Sequence, residues 1–228
     1  MVGKYASTYL AMLLLLSSAC AMAWQAQPSA LLPSPVFRTL GNASELPQST
    51  AYDIFQDSQG FIWLATEEGL VRYDGKQYKV FKHNPEDSTS IGNNWVRKIT
   101  EAPDGYLWVA CQNGLYRYSS RTETFENFTP ASIVSDSTDL VVTDLVVAGQ
   151  QYLFARINSV QFSGVASIDL GNLNTKLLSI PEMQQYSSFS NRGLLFAYQK
   201  VYVAAYYNLL QIDPATMGTC RFKMPTGA

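Results

Sequence analysis

"GFIWLATEEGLVRY", residues 60–73, and "GYLWVACQNGLYRY", residues 105–118, are one sentence written twice. Laid on each other they align Gly60 with Gly105, Trp63 with Trp108, Ala65 with Ala110, Gly69 with Gly114, Leu70 with Leu115, Arg72 with Arg117 and Tyr73 with Tyr118, every pair 45 residues apart and without a gap. Upstream, Ile54 meets Ile99 at the same offset. Internal repetition with a period in the forties is the length of a four-stranded propeller blade.

One unit reads as such a blade. "AYDIFQD" is a strand and Asp57-Ser58-Gln59-Gly60 a turn. In the next strand, "FIWLAT", Phe61, Trp63 and Ala65 share one face, with Ile62 and Leu64 on the other. Both faces are apolar, as a sheet sandwiched between sheets requires. Glu67-Glu68-Gly69 turns the chain, "LVRYD" returns, Asp74-Gly75 is a hairpin signal, and "QYKVFKH" is the outermost strand. Such a unit cannot bury both faces alone, so copies must stack. Two degenerate copies follow. "QYLFARI" puts Ala155 another 45 residues beyond Ala110, with Leu153 in the Trp place. "VYVAAYYNLLQID" puts Tyr202 in the Trp place, Ala204 in the Ala place, Asn208 in the Gly place and Ile212 in the Tyr place. The prediction is an all-β chain of about four blades, near 48–83, 93–129, 138–181 and 184–225, within a repeat region 48–228.

Composition agrees. Of 228 residues 47% are hydrophobic, and the 14 tyrosines and 11 phenylalanines favour strands. A net charge of -2, with no basic stripe, points away from nucleic acid. Residues 1–23 read as a signal peptide: Lys4, the apolar run "YLAMLLLL", then small residues up to Ala21-Met22-Ala23. A lipidation junction at Cys20 is the alternative, with Ser17 standing where an aliphatic residue is usual. Residues 24–47 form a lead-in segment with a possible closing strand at 36–40, "VFRTL". After cleavage, Cys111 and Cys220 are too few for a disulfide framework.

Ile54, Asp57, Gly60, Ile62, Trp63, Ala65, Thr66, Gly69, Leu70, Arg72, Tyr73 and Asp74, with the connector "FKHNPEDSTSIGNNWV", resemble the repeats of the two-component-regulator propeller family over residues 36–128. The resemblance implies the periplasmic input region of a membrane-bound bacterial histidine kinase or diguanylate cyclase. It implies a seven-bladed propeller of which this chain holds the N-terminal part. The expected partners are the remaining blades and a membrane-anchored signalling domain, with a dimer also envisaged.

Chemistry-bearing clusters are sparse. His83, the sole histidine, sits in a polar connector. No metal spacing, phosphate loop or catalytic triad occurs, and neither a cofactor nor catalytic residues are expected. Asp57 and Asp104 read as turn residues, Trp63 and Trp108 as core, and Arg72 and Arg117 as structural, bonding to a neighbouring blade's carbonyls. Loops after each second strand share a face with the connectors between blades. This places Glu67, Glu68, Trp95, Gln112, Asn113, Arg156, Asn158, Tyr207 and Asn208 at one mouth. Aromatic rings beside amides suit a small molecule or an oligosaccharide. Alternative readings are a secreted propeller enzyme acting on glycans and a propeller used only for protein interaction.

Overall fold

A computed structural model describes residues 46, 47, 49–130, 140–183, 193–205 and 208–223. The predicted signal peptide, Cys20, the strand at 36–40 and Tyr207 lie outside them. The described residues belong to the unit Gly41–Ala228.

Among the described residues sixteen strands form four separate antiparallel sheets of four. Blade 1 is β1 (Asp53–Gln56), β2 (Ile62–Thr66), β3 (Gly69–Tyr73) and β4 (Tyr78–Phe81). Blade 2 is β5 (Val96–Glu101), β6 (Leu107–Cys111), β7 (Gly114–Ser119) and β8 (Thr124–Asn127). Blade 3 is β9 (Val141–Ala148), β10 (Tyr152–Asn158), β11 (Ser163–Asp169) and β12 (Thr175–Ser179). Blade 4 is β13 (Leu194–Ala197), β14 (Lys200–Ala205), β15 (Asn208–Ile212) and β16 (Thr219–Lys223). Within each, strands pair in chain order. The one helical element among the described residues is a 3-10 turn at Pro181–Met183.

The core lies in the seams between blades. Trp63, Ala65 and Leu70 of blade 1 pack on Ile99, Val109, Tyr116 and Tyr118 of blade 2. Trp108, Ala110 and Leu115 of blade 2 pack on Leu145, Leu153 and Ile168 of blade 3. Phe154 and Val165 of blade 3 pack on Val201, Val203 and Leu210 of blade 4. Among the described residues no such cluster joins blade 4 to blade 1. Accordingly Ile54, on the back of blade 1, is 68% exposed, and Leu195 and Phe222, on the front of blade 4, are 60% and 48% exposed.

The third blade corrects the repeat alignment. Leu153 faces backward onto blade 2, whereas the Trp place, facing forward, is held by Phe154. The true offset there is 46, and it is already present in β9: Val142 and Asp144, which pair with Ile157 and Arg156, stand 46 residues after Val96 and Lys98, which pair with Cys111 and Ala110, so the extra residue precedes β9. A one-residue slip exchanges the two faces of a strand. In blade 4 Tyr202 pairs with the exposed Leu195, on the face opposite the buried Val201 and Val203, as the alignment requires.

Asp57 does more than turn the chain. Its Oδ1 accepts the N–H groups of Gln59 (3.0 Å) and Phe61 (2.9 Å), while Oδ2 accepts the Trp63 indole N–H at 2.7 Å. Gly60 supplies the left-handed step at φ 90°. One side chain thus folds the turn and fixes the largest core residue. Forty-five residues on, Ala102 stands in its place, and the Trp108 indole N–H, fully buried, has no hydrogen-bond partner among the described residues. The arginines also differ from expectation. Arg72 reaches a carboxylate of the next blade, Glu123 at 3.1 Å, and lies over the Phe61 ring. Arg117 stays on its own blade, pairing with Glu126 at 2.8 Å between the Tyr106 and Phe128 rings. Among the described residues each takes a carboxylate and neither a carbonyl, the carboxylate being the stronger acceptor.

Asp57→Ala should therefore cost about 1–3 kcal/mol, the penalty for a buried donor left unpaired. Urea unfolding measures it, and a midpoint equal to the parent's would contradict the role.

Candidate functional site

At the end of the sheets where β2 turns into β3, blades 1 and 2 bring together Tyr52, Glu67, Trp95, Arg97 and Gln112. The backbone builds this rim first. The Gly69 N–H bonds the Asn94 carbonyl at 2.8 Å and the Gln112 N–H bonds the Trp95 carbonyl at 3.0 Å. The connector 84–95 is thereby tied to the turns of both blades. Asn94 Oδ1 accepts the His83 N–H, and His83 Nδ1 lies 2.9 Å from the Ile91 carbonyl. That lone histidine is a loop brace. Asn113 donates to the Gly92 carbonyl at 2.9 Å and accepts from the Tyr116 hydroxyl at 3.2 Å.

On this frame the side chains pair in duplicate. Tyr52 donates its hydroxyl to the Glu67 carboxylate, and Arg97 donates Nε (3.2 Å) and Nη2 (2.8 Å) to Gln112 Oε1. Tyr52 and Arg97 are 45 residues apart, as are Glu67 and Gln112, so both blades use the same two slots with different chemistry. Arg97 is the bulged residue of β5, whose pairing with β6 skips from Val96 to Lys98. A bulge re-aims a side chain at a sheet's rim. Here it stacks the guanidinium on Trp95, 4.6 Å from the ring centroid, and beside Tyr52 at 5.9 Å. Tyr52 and Trp95 lie 6.2 Å apart at a 41° tilt.

The electrostatics follow from the pairings. The hydrogen bond to Glu67 raises the Tyr52 phenol above its ordinary value. Burial lowers the Arg97 guanidinium, opposed by Tyr52 and Glu67 nearby. Burial also pushes the Tyr116 phenol up to about 12. The rim therefore holds one cation and one anion, each with a neutral partner, around an aromatic surface. Such a site can stack a flat apolar face and bond adjacent hydroxyls.

Of the residues the sequence nominated, Glu67, Trp95 and Gln112 form this cluster. Glu68 sits beside it, paired with Lys82 at 3.2 Å, and Asn113 supports it from below. Asn158 is taken up in its own hairpin, accepting from Ser163 at 2.7 Å. Arg156 lies within β10 opposite Asp144, 8% exposed, and Asn208 opens β15. Sequence reasoning passed over Tyr52 and Arg97 as ordinary strand residues. Their shared offset, matching that of Glu67 and Gln112, was the available signal. A separate groove of about 550 Å³ lies between Phe61, Arg72, Tyr78 and Lys79, but Arg72 and Lys79 there are both engaged by Glu123. Among the described residues no group of His, Cys, Asp and Glu is placed to hold a metal ion.

Residues 45–68 and 90–113 match the family described as "Two component regulator propeller". A histidine kinase of Formosa agariphila is 45% identical over 56 residues, which are 25% of this chain and 4% of that protein. Among solved structures, the extracellular domain of a hybrid two component system from B. thetaiotaomicron superposes with a TM-score of 0.58 at 20% identity, covering 79% of this chain and 25% of that one. A second such domain from the same organism gives 0.55 at 17% identity, covering 78% and 22%. A gluconolactonase of Xanthomonas campestris gives 0.51 at 12% identity, covering 76% and 61%, which is a likeness of fold alone. The chain spans a quarter or less of the length of the kinase and of the two extracellular domains.

The rim depends on a close approach at Gly92, where an added Cβ would lie 1.8 Å from the Tyr116 hydroxyl oxygen. Gly92→Ala must displace the buried Tyr116 ring and should lower stability by about 1–3 kcal/mol, as overpacking does. Thermal melting checks it; an unchanged transition would mean the connector is not clamped as described.

Proposed function

We propose that this chain, which carries two component regulator propeller repeats, is an extracytoplasmic ligand-sensing module, the N-terminal input part of a membrane-bound signalling protein. The output domain of that protein would be a histidine kinase or a diguanylate cyclase. The observation that carries the sensing role is the rim of Tyr52, Glu67, Trp95, Arg97 and Gln112. Two aromatic rings and a stacked guanidinium form a surface there, flanked by two polar pairs. Its frame is made of backbone bonds between blades and connector, so little ordering is needed on binding. The ligand class that fits is a small polyhydroxylated molecule or an oligosaccharide, stacking a ring on Trp95 and bonding hydroxyls to Gln112 and Glu67. The uncovered faces of blades 1 and 4 are met, in this reading, by further blades of the same sensor. The match to only about a quarter of the solved extracellular domains supports that.

Titration of the chain with neutral and uronic-acid oligosaccharides, followed by tryptophan fluorescence, tests the proposal. A saturable change is expected with at least one class, and Trp95→Ala should weaken it at least tenfold, about 1.4 kcal/mol, with the melting transition retained. Equal binding by Trp95→Ala, or no response to any oligosaccharide, would overturn the assignment of this rim.

A further inference from the structure

The first strands of the blades share a contact that crosses the seams. The Asp53 carboxylate on β1 accepts the Ile99 backbone N–H of β5 at 3.0 Å, and Asp144 on β9 accepts the Leu194 backbone N–H of β13. These are the same contact two seams apart. Ile99 and Leu194 occupy one position of the repeat, pairing with Val109 and Val203. Asp53 and Asp144 likewise occupy one position, pairing with Ala65 and Arg156. First strands are sheet edges, whose outward N–H groups need acceptors when they are not solvated.

In blade 2 this position is Lys98, which donates only. Lys98 turns back to Asp53, with Nζ 2.9 Å from Oδ1. The N–H that a carboxylate there would have received belongs to Leu145, and Asp144 takes it through its own Oδ1 at 2.9 Å. Asp144 therefore serves two donors, one on each oxygen: Leu145 of its own strand and Leu194 of the next blade.

We infer that Asp144 is a proton-operated latch between blades 3 and 4: ionised, it holds the N–H groups of both Leu145 and Leu194, and protonated, it releases Leu194. A neutral carboxylic acid keeps one full acceptor oxygen, because the other carries the proton. Leu145 follows Asp144 directly in the chain and moves with it, so the donor on the other blade is the one set free. Around the carboxylate stand Lys98 from β5 and Arg156 from β10 as its charged neighbours. Just ahead of β13 it meets Gly193, where a Cβ would come within 3.0 Å of Oδ2. Burial lifts the Asp144 carboxyl above its ordinary 3.8, against the pull of the Leu194 and Leu145 N–H groups, Lys98 and Arg156. Release therefore falls at milder acidity than for a free carboxyl. Between the ordinary and the raised value the folded chain holds more protons than the unfolded one. This group's contribution to stability is thus present at low pH and declines as pH rises through the folded value. The neutral carboxyl stays buried in the seam, so acid frees this one backbone contact and leaves the apolar seam and the blades in place.

Amide hydrogen exchange of the full chain, followed by NMR from about pH 7 to about pH 4 and expressed as protection factors that remove intrinsic chemistry, reads this directly. Leu194 protection should fall at least tenfold on acidification while Leu145 remains protected. Asp144→Asn, with a single acceptor oxygen, should leave Leu194 poorly protected at every pH. Gly193→Ala, which crowds the carboxylate, should lower Leu194 protection at neutral pH with the titrating group still present. Constant Leu194 protection in the parent would overturn the inference, as would a pH dependence that survives in Asp144→Asn.

Discussion

A four-stranded sheet with two apolar faces has no stable life alone, and everything in this structure follows from that. Blades 1, 2 and 3 each bury the front against the next blade's back. The three seams hold nearly all of the large buried side chains, among them Trp63, Trp108, Tyr118 and Phe154. At about 25 cal/mol per Å² of apolar surface removed from water, aromatic residues at the seam dominate the favourable side of folding. Polar contacts then set the register of one blade on the next. Glu101 reaches back to the Ser58 N–H and hydroxyl, Glu123 to Arg72, and Asp53 to Ile99. None of these is deeply buried, so they align the blades more than they bind them.

Repetition makes the departures informative. Asp57 anchors Trp63, while Ala102 leaves Trp108 without that anchor, its indole meeting the Phe128 ring edge-on at 5.0 Å. Tyr52–Glu67 and Arg97–Gln112 fill equivalent slots with different groups. Asp53, Lys98 and Asp144 vary one position of the first strand. Where adjacent copies agree, the residue serves the blade. Where they differ at the rim or at the seam edge, the position is free to serve recognition or coupling.

The blade itself was legible in the sequence because the Trp, Gly and Arg positions of blades 1 and 2 recur at one offset, and glycines with left-handed φ mark the first two hairpins of each, Gly60 and Gly69 in blade 1 and Gly105 and Gly114 in blade 2. The second role of Asp57 was not legible, since the indole lies six residues away and only the folded turn brings the two together. The register of blade 3 was misread for a physical reason. One extra residue ahead of β9 shifts the alignment by one, since Val142 already stands 46 residues after Val96, and Leu153 and Phe154 are both apolar, so composition cannot tell front from back. Part of the candidate site was readable through Glu67, Trp95 and Gln112. Tyr52 and Arg97 were hidden because a bulge, invisible in the sequence, aims Arg97 onto Trp95.

The central claim is that apolar seams between successive blades hold this fold, and that the faces around Ile54 and around Leu195 and Phe222 await cover. Light scattering on purified residues 24–228 across a concentration series tests it most directly. Exposed apolar faces with strand edges drive association, so the account predicts a mass above the monomer that rises with concentration. A monomer that stays monodisperse and melts cooperatively would contradict it, and would mean that four blades close on themselves.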